Sequence, residues 1–511
     1  MANVTIDGSS LSLEQIVRVA RQGARVELAP GVKERLAANR KSIEKLIDAG
    51  HKIYGINTGL GEAADKIIPA QDLLKLQETL ILSHATGVGP PLPQDTVRAM
   101  ILLRANTLAR GYSGIRPVLL EKVIELLNKS VYPFVPEQGS VGASGDLAPA
   151  AHVGLILLGR GKAWLNGKLM SGKDVLAGVD MQPLTLQFKE GLALVNGTQL
   201  MTAIGALISH DSEILLKTAD IVSAMSLDAL RGRVIAFRED VHQLRPHPGQ
   251  LETAANVRAL VAGSELIAGP ADMVQDAYTL RCIPQVHGAS RDAFYYVKSV
   301  VEREINSVTD NPVVFTATKE CISMGHFHGQ PLAIAMDVLG IALAEIASFS
   351  ERRVQRLIDP LFNMGLPACL SPLAREKPGL YTGFSMAHET SGSLVSENKV
   401  LAHPASVDSI PGLQEDHVSM GATAARKARQ ILKNVEYCLA IELLCAAQAI
   451  DLRLPKRPGI GSYAAYQALR RHIPKLEEDR ELYDDFAQTQ KLIRGQEILS
   501  AVETALGHSL K

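Results

Sequence analysis

Apolar positions in this chain recur mostly at helical spacing. Leu73, Leu76, Leu80 and His84 step by three or four residues, which predicts a helix with His84 on its apolar side, at its end. Ser12 with Gln15 forms a capping-box signature for a helix running to about Gln22. Val32, Leu36, Ile43 and Ile47 predict a second helix, and the pattern from Val97 to Leu127 is helical except near Gly111–Pro117. Two stretches of about thirty residues, Pro331–Leu357 and Val418–Leu452, are apolar nearly all round, as suits helices inside a large bundle or oligomer. Asn166-Gly167 predicts a hairpin turn, and YGINTGLGEA (Tyr54–Ala63) a loop. Breaks are expected at Arg245–Gln250, Lys377–Phe384 and Leu454–Gly461, with no internal repeat. The expectation is a mainly α protein.

Composition narrows the class. Lys plus Arg number 53 against 54 acidic residues, so no global field favours nucleic acid or a charged membrane. Five scattered cysteines without CxxC pairing point to reduced thiols in a cytoplasmic protein. The opening MANVTIDGSS lacks the basic-then-apolar pattern of a signal peptide. Asp337 and Glu345 interrupt the most apolar run, which makes it a core helix rather than a membrane span.

The densest candidate chemistry lies in GSVGASGDLAP, Gly139–Pro149. Glycines there permit unusual dihedrals and close approach. If the Gly145 nitrogen closes onto the Ala143 carbonyl, a five-membered ring forms. Loss of water, including the Ser144 hydroxyl, leaves a methylidene-imidazolone (MIO), an electrophile that no ordinary side chain supplies. A glycine-rich turn or a phosphate cradle fits the tripeptide as well, although a cradle would normally bring a nearby Lys or Arg.

Other segments offer complementary groups. Tyr54 is a candidate base whose phenol, near 10 when free, would need its pKa depressed. Asn196 and Gln199 bracket a glycine-broken helix start, where amides usually cap. Tyr278, Arg281 and Gln285 share a short segment, and the Arg281 fork suits a carboxylate. GHFHGQP places Phe327 between two histidines, too few ligands to predict a metal. QEDHVSM, Gln414–Met420, reads as an acidic opening to a long helix.

Taken together, GSVGASGDLAP, YGINTG, NGTQ, the Gln275–Ala289 segment, SVTDNP and QEDHVS resemble the histidine and aromatic amino-acid ammonia-lyase family, over about Tyr54–Met420. SHATG and QEDHVS resemble its histidine branch. The resemblance implies a long-helix bundle of the fumarase/aspartase type. Residues 1–200 would form an N-terminal domain carrying the base and MIO loops, and 201–511 the central and C-terminal bundle. It implies deamination of L-histidine to trans-urocanate by a cytoplasmic homotetramer with shared active sites and no external cofactor, metal, nucleic acid or membrane. Ala143, Ser144 and Gly145 would form the electrophile and Tyr54 the base. Asn196, Tyr278, Arg281, Gln285, Asn311 and Phe327 would line the site, and His84 and Glu415 would address the substrate imidazole. Leu60, His326, Gln330 and a short Ile410–Gln414 stretch depart from the family pattern. A histidine aminomutase, a lyase for another aromatic amino acid, and a scaffold whose loop never cyclises are the rival readings.

Overall fold

The computed structural model describes residues 3–267, 274–407 and 414–511. Among them are nineteen α-helices and nine strands, none longer than four residues, so the fold is mainly α. The local signals act as their chemistry dictates. The Ser12 side chain caps Leu13–Gln22 in a complete capping box, and Gly23 ends that helix in the left-handed region. Lys162–Leu165 and Lys168–Ser171 form the hairpin around Asn166-Gly167, both of which take positive φ. Leu73–His84 is a helix ending at His84. The three expected breaks lie between helices, although Pro248–Leu260 starts within the first and Ile460–Arg470 within the third.

The chain divides into two compact units. The first comprises Met1–His210, Lys298–Asp337 and Pro404–Arg426; the second takes Asp211–Val297, Val338–His403 and Lys427–Lys511. The boundary read near residue 200 falls inside the Gln199–Ala229 helix, and the first unit recruits two later segments. A continuous cut is impossible because long helices such as Gln330–Ile358 carry residues of both units.

In the first unit, Ile43, Ile53, Ile56 and Val314 form a buried apolar cluster. In the second, Arg353 is fully buried against Glu442, which also accepts from Ser226 Oγ at 2.6 Å. Among the described residues, Gln330–Ile358 is the one helix long and apolar enough to cross a membrane, but 61% of its apolar stretch is buried. Its Asp337 accepts the backbone N–H groups of Ala405 and Ser406 at 2.8 and 2.7 Å. The Gly421–Asp451 helix needs no second copy to cover its apolar end, since residues 438–450 are all buried within the chain.

Candidate active site

A cavity of about 900 Å³ opens in the first unit. Its wall contains Tyr54, His84, Ala143, Ser144, Asn196, Asn311, Phe327 and Glu415, from eight positions scattered between residues 54 and 415. Gly145 is buried behind it.

The glycine loop supplies the floor. Ala143 and Gly145 are bridged across Ser144, so their backbones lie side by side in a tight turn. The Gly197 N–H donates to Ser144 O at 3.0 Å, and the Asp146 N–H to Gly197 O at 2.7 Å, pinning both flanks. Gly145 has φ +76°, and a Cβ there would stand 2.0 Å from Gly197 O. Only glycine fits. Gly142 is equally restricted, with Ser419 Oγ 2.2 Å from its would-be Cβ. Turn, missing Cβ and close backbone approach are what ring closure between Ala143 and Gly145 requires, so these residues fit the imidazolone.

Behind the loop lies a buried polar scaffold. Asp146 accepts from Ser140 Oγ at 3.0 Å and from the Met201 N–H at 2.9 Å; burial nonetheless pushes its carboxyl up to about 6. The Gln199 amide is committed to Arg104, Thr107 and Thr309. Burial brings the Arg104 guanidinium down to about 10, against the pull of Asp310 and Asp146. Lys189, with φ +70°, reaches both Asp310 oxygens at 2.8 and 2.7 Å. Asp310 Oδ1 also accepts from the Asn311 N–H at 2.7 Å, while the Asn196 amide donates to Asn311 O at 2.7 Å. One buried ion pair therefore holds two asparagines of the wall.

The front of the cavity is less constrained. Tyr54 Oη accepts from the Gly61 N–H at 3.4 Å. Burial pushes its phenol up and the Glu415 carboxylate adds to that, outweighing the Gly61 hydrogen bond. That is opposite to the depression a base needs. Glu415 does not open a helix: the helix starts at Gly421, because Met420 takes φ +54° and donates to Val141 O at 3.0 Å instead. Residues 414–420 are thereby left non-helical, with Glu415 in the wall beside Gly61.

Tyr278, Arg281 and Gln285 belong to the second unit and do not line the cavity. Tyr278 is 69% exposed with the Arg281 guanidinium 4.9 Å from its ring, and Arg281 Nη1 donates to Gln275 Oε1 at 2.6 Å. Arg281 Nε and Gln285 Oε1 are buried without a hydrogen-bond partner among the described residues. Of the departures from the family pattern, Leu60 and Gln414 line the cavity, whereas His326 and Gln330 do not. Ile410–Leu413 lie outside the described residues.

His328 and His417 also line the cavity, with Nε2 of the first 3.2 Å from Nδ1 of the second. The H-x-H spacing drew attention to His326 and His328 as a pair, but the partner of His328 comes from QEDHVS. Among the described residues no cluster of three or more His, Cys, Asp or Glu side chains could hold a metal.

The family model described as aromatic amino acid lyase matches residues 11–471. The chain belongs to that family. As an aromatic amino acid lyase, it is a carbon–nitrogen lyase by class. It is 50% identical over 509 residues to the histidine ammonia-lyase of Alkaliphilus oremlandii, covering 99% of both chains. It is 51% identical over 503 residues to that of Symbiobacterium thermophilum, covering 98% of both. The crystal structure of histidine ammonia-lyase from Trypanosoma cruzi superposes with a TM-score of 0.91 at 40% identity, covering 98% of this chain and 95% of that one. Tyrosine aminomutase from Streptomyces globisporus superposes at 0.94 with 37% identity over the full length of both. The same fold thus serves lyases and aminomutases.

Proposed function

We propose that this aromatic amino acid lyase is a cytoplasmic histidine ammonia-lyase, converting L-histidine to trans-urocanate and ammonia. The observation that carries the reading is the meeting of Ala143 and Ser144 with Tyr54, His84 and Glu415 in one cavity. Extended identity to histidine ammonia-lyases supports the choice of amino acid.

The electrophile is the MIO closed from Ala143, Ser144 and Gly145, which supplies an electron-poor carbon able to turn an amine into a leaving group. The chain's own side chains do the rest. Tyr54 Oη takes the β-proton, Asn196 and Asn311 border the reacting end, and Phe327 packs against it. Glu415 and His84 face the ring. A substrate carboxylate needs a cation, and apart from histidines Lys52 is the one cationic side chain in the wall among the described residues. Tyr278, Arg281 and Gln285 of another subunit complete the site in a homotetramer, where Arg281 also supplies positive charge to bring the Tyr54 phenol down. The unpaired Arg281 Nε and Gln285 Oε1, and exposed Ile334 and Ile341 on the Gln330–Ile358 helix, support such an assembly.

The test is incubation of the purified protein with L-histidine, following urocanate by ultraviolet absorbance. β-Histidine as product would convert the reading to an aminomutase, and no product would overturn it.

A further inference from the structure

A neutral imidazole carries one N–H and one bare nitrogen, so a wall that recognises it needs one acceptor and one donor. Glu415 is an acceptor. So is His84 in its neutral form. Its Nδ1 lies 2.9 Å from Leu80 O and 3.1 Å from Ser83 Oγ, and that hydroxyl already donates to the same carbonyl. A carbonyl only accepts, so Nδ1 carries the hydrogen and Nε2 is left bare. As two acceptors, Glu415 and His84 leave the bare ring nitrogen unread.

The donor comes from the other histidine pair. The Gln330 backbone N–H reaches His328 Nδ1 at 3.3 Å. A backbone N–H only donates, so that nitrogen is bare and the ring hydrogen sits on Nε2. This hydrogen faces His417 Nδ1 at 3.2 Å, with the rings 5.2 Å apart and tilted by 30°. His417 Nδ1 is therefore the acceptor, and His417 carries its own hydrogen on Nε2. One backbone N–H sets the tautomers of two rings in sequence. Burial holds His328 below the usual histidine range, which favours the neutral ring.

We propose that His417, its tautomer fixed by His328, is the specificity-determining donor that reads the bare ring nitrogen of the substrate while Glu415 takes the ring N–H. The inference rests on the imidazole reading of the site. The ligand class it selects is an amino acid whose heteroaromatic ring bears both an N–H and an unprotonated nitrogen.

The test compares kcat/KM for L-histidine with the affinity for L-phenylalanine, measured as a competitive ligand, in His417→Leu. The lost partner should lower kcat/KM for histidine by about tenfold to a hundredfold, without weakening phenylalanine. At the second ring, His328→Asn retains an amide donor and His328→Leu does not, so the leucine variant should lose more histidine turnover than the asparagine variant. That second pair also decides the matter should His417→Leu fail to fold. Equal losses for both amino acids, an unchanged histidine value, or identical His328 variants would overturn the role of the pair. Absence of urocanate from the unsubstituted protein would instead overturn the imidazole reading beneath it.

Discussion

Two lysine–aspartate pairs flank the cavity, and they differ in everything but composition. Lys189 and Asp310 meet at 2.7 Å with both side chains 0% exposed, behind Asn196 and Asn311. Lys52 and Asp65 meet at 3.0 Å on the rim, 43% and 97% exposed. Water screens the second and leaves its partners replaceable, whereas the first has exchanged hydration for a fixed set of hydrogen bonds. The lesson extends to the whole site. The rear is a fully buried polar frame that holds geometry, and the front is a set of half-exposed groups free to meet a substrate.

The largest test of that division is Ser144→Ala. It removes the hydroxyl whose loss as water would create the methylidene while leaving the frame intact, so turnover should vanish almost entirely. Intact mass should no longer show the loss of two waters, and near-normal activity would sink the electrophile.

Tyr54→Phe changes the front alone. Activity should fall by ~10²–10⁴, with circular dichroism and the denaturation midpoint unaltered. A loss below about tenfold would assign the proton transfer elsewhere.

Lys189→Met is the counterpart at the rear. It strands the Asp310 carboxylate, at a cost of about 3–5 kcal/mol in stability. Chemical denaturation measures this, and a cost under about 1 kcal/mol would place the pair with surface pairs instead.

Asp146 gives the frame a pH signature. Its folded carboxyl is raised from 3.8 to about 6, so the folded state holds the proton to higher pH than the unfolded chain does. Relative to Asp146→Asn, the protein should lose roughly 3 kcal/mol of stability as pH rises from 4 to 6 and then level off. Denaturation of both proteins in the Ser144→Ala background isolates the term from cyclisation. Stability that instead rises with pH relative to Asp146→Asn would reverse the assignment.

Lys52→Met should do least, less than about 1 kcal/mol and fading further with salt. A larger effect would mean that the rim is buried in the assembled enzyme.

Much of the site was legible in the sequence because its chemistry is carried by contiguous motifs. The Gly139–Pro149 loop takes positive φ at Gly142 and Gly145, a backbone demand local to the loop, while Ser419 and Gly197 add the lack of space. Ser12, Asn166 and Gly167 likewise act through neighbours a few residues away. The role of Gln199 in the frame has no local signal, because its partners Arg104, Thr107 and Thr309 lie about a hundred residues distant. An acidic cluster before an apolar run has the form of a helix start, which predicts one at Glu415. The left-handed Met420 and its bond to Val141 decided otherwise. His417 carries no local signal of its own, since its partner His328 lies 89 residues away.

The sequence by itself determined the mainly helical class, the glycine loop and the identity of the residues available for chemistry. These rest on local sterics, hydrophobic periodicity and side-chain type, which travel with the chain. Only the tertiary structure decided what each group can do. Desolvation raises Tyr54 and Asp146, a buried lysine fixes two asparagines, and carbonyl and amide partners set which histidine accepts and which donates. Such properties belong to environments built from distant segments, where burial strengthens each charge and each hydrogen bond has a fixed direction.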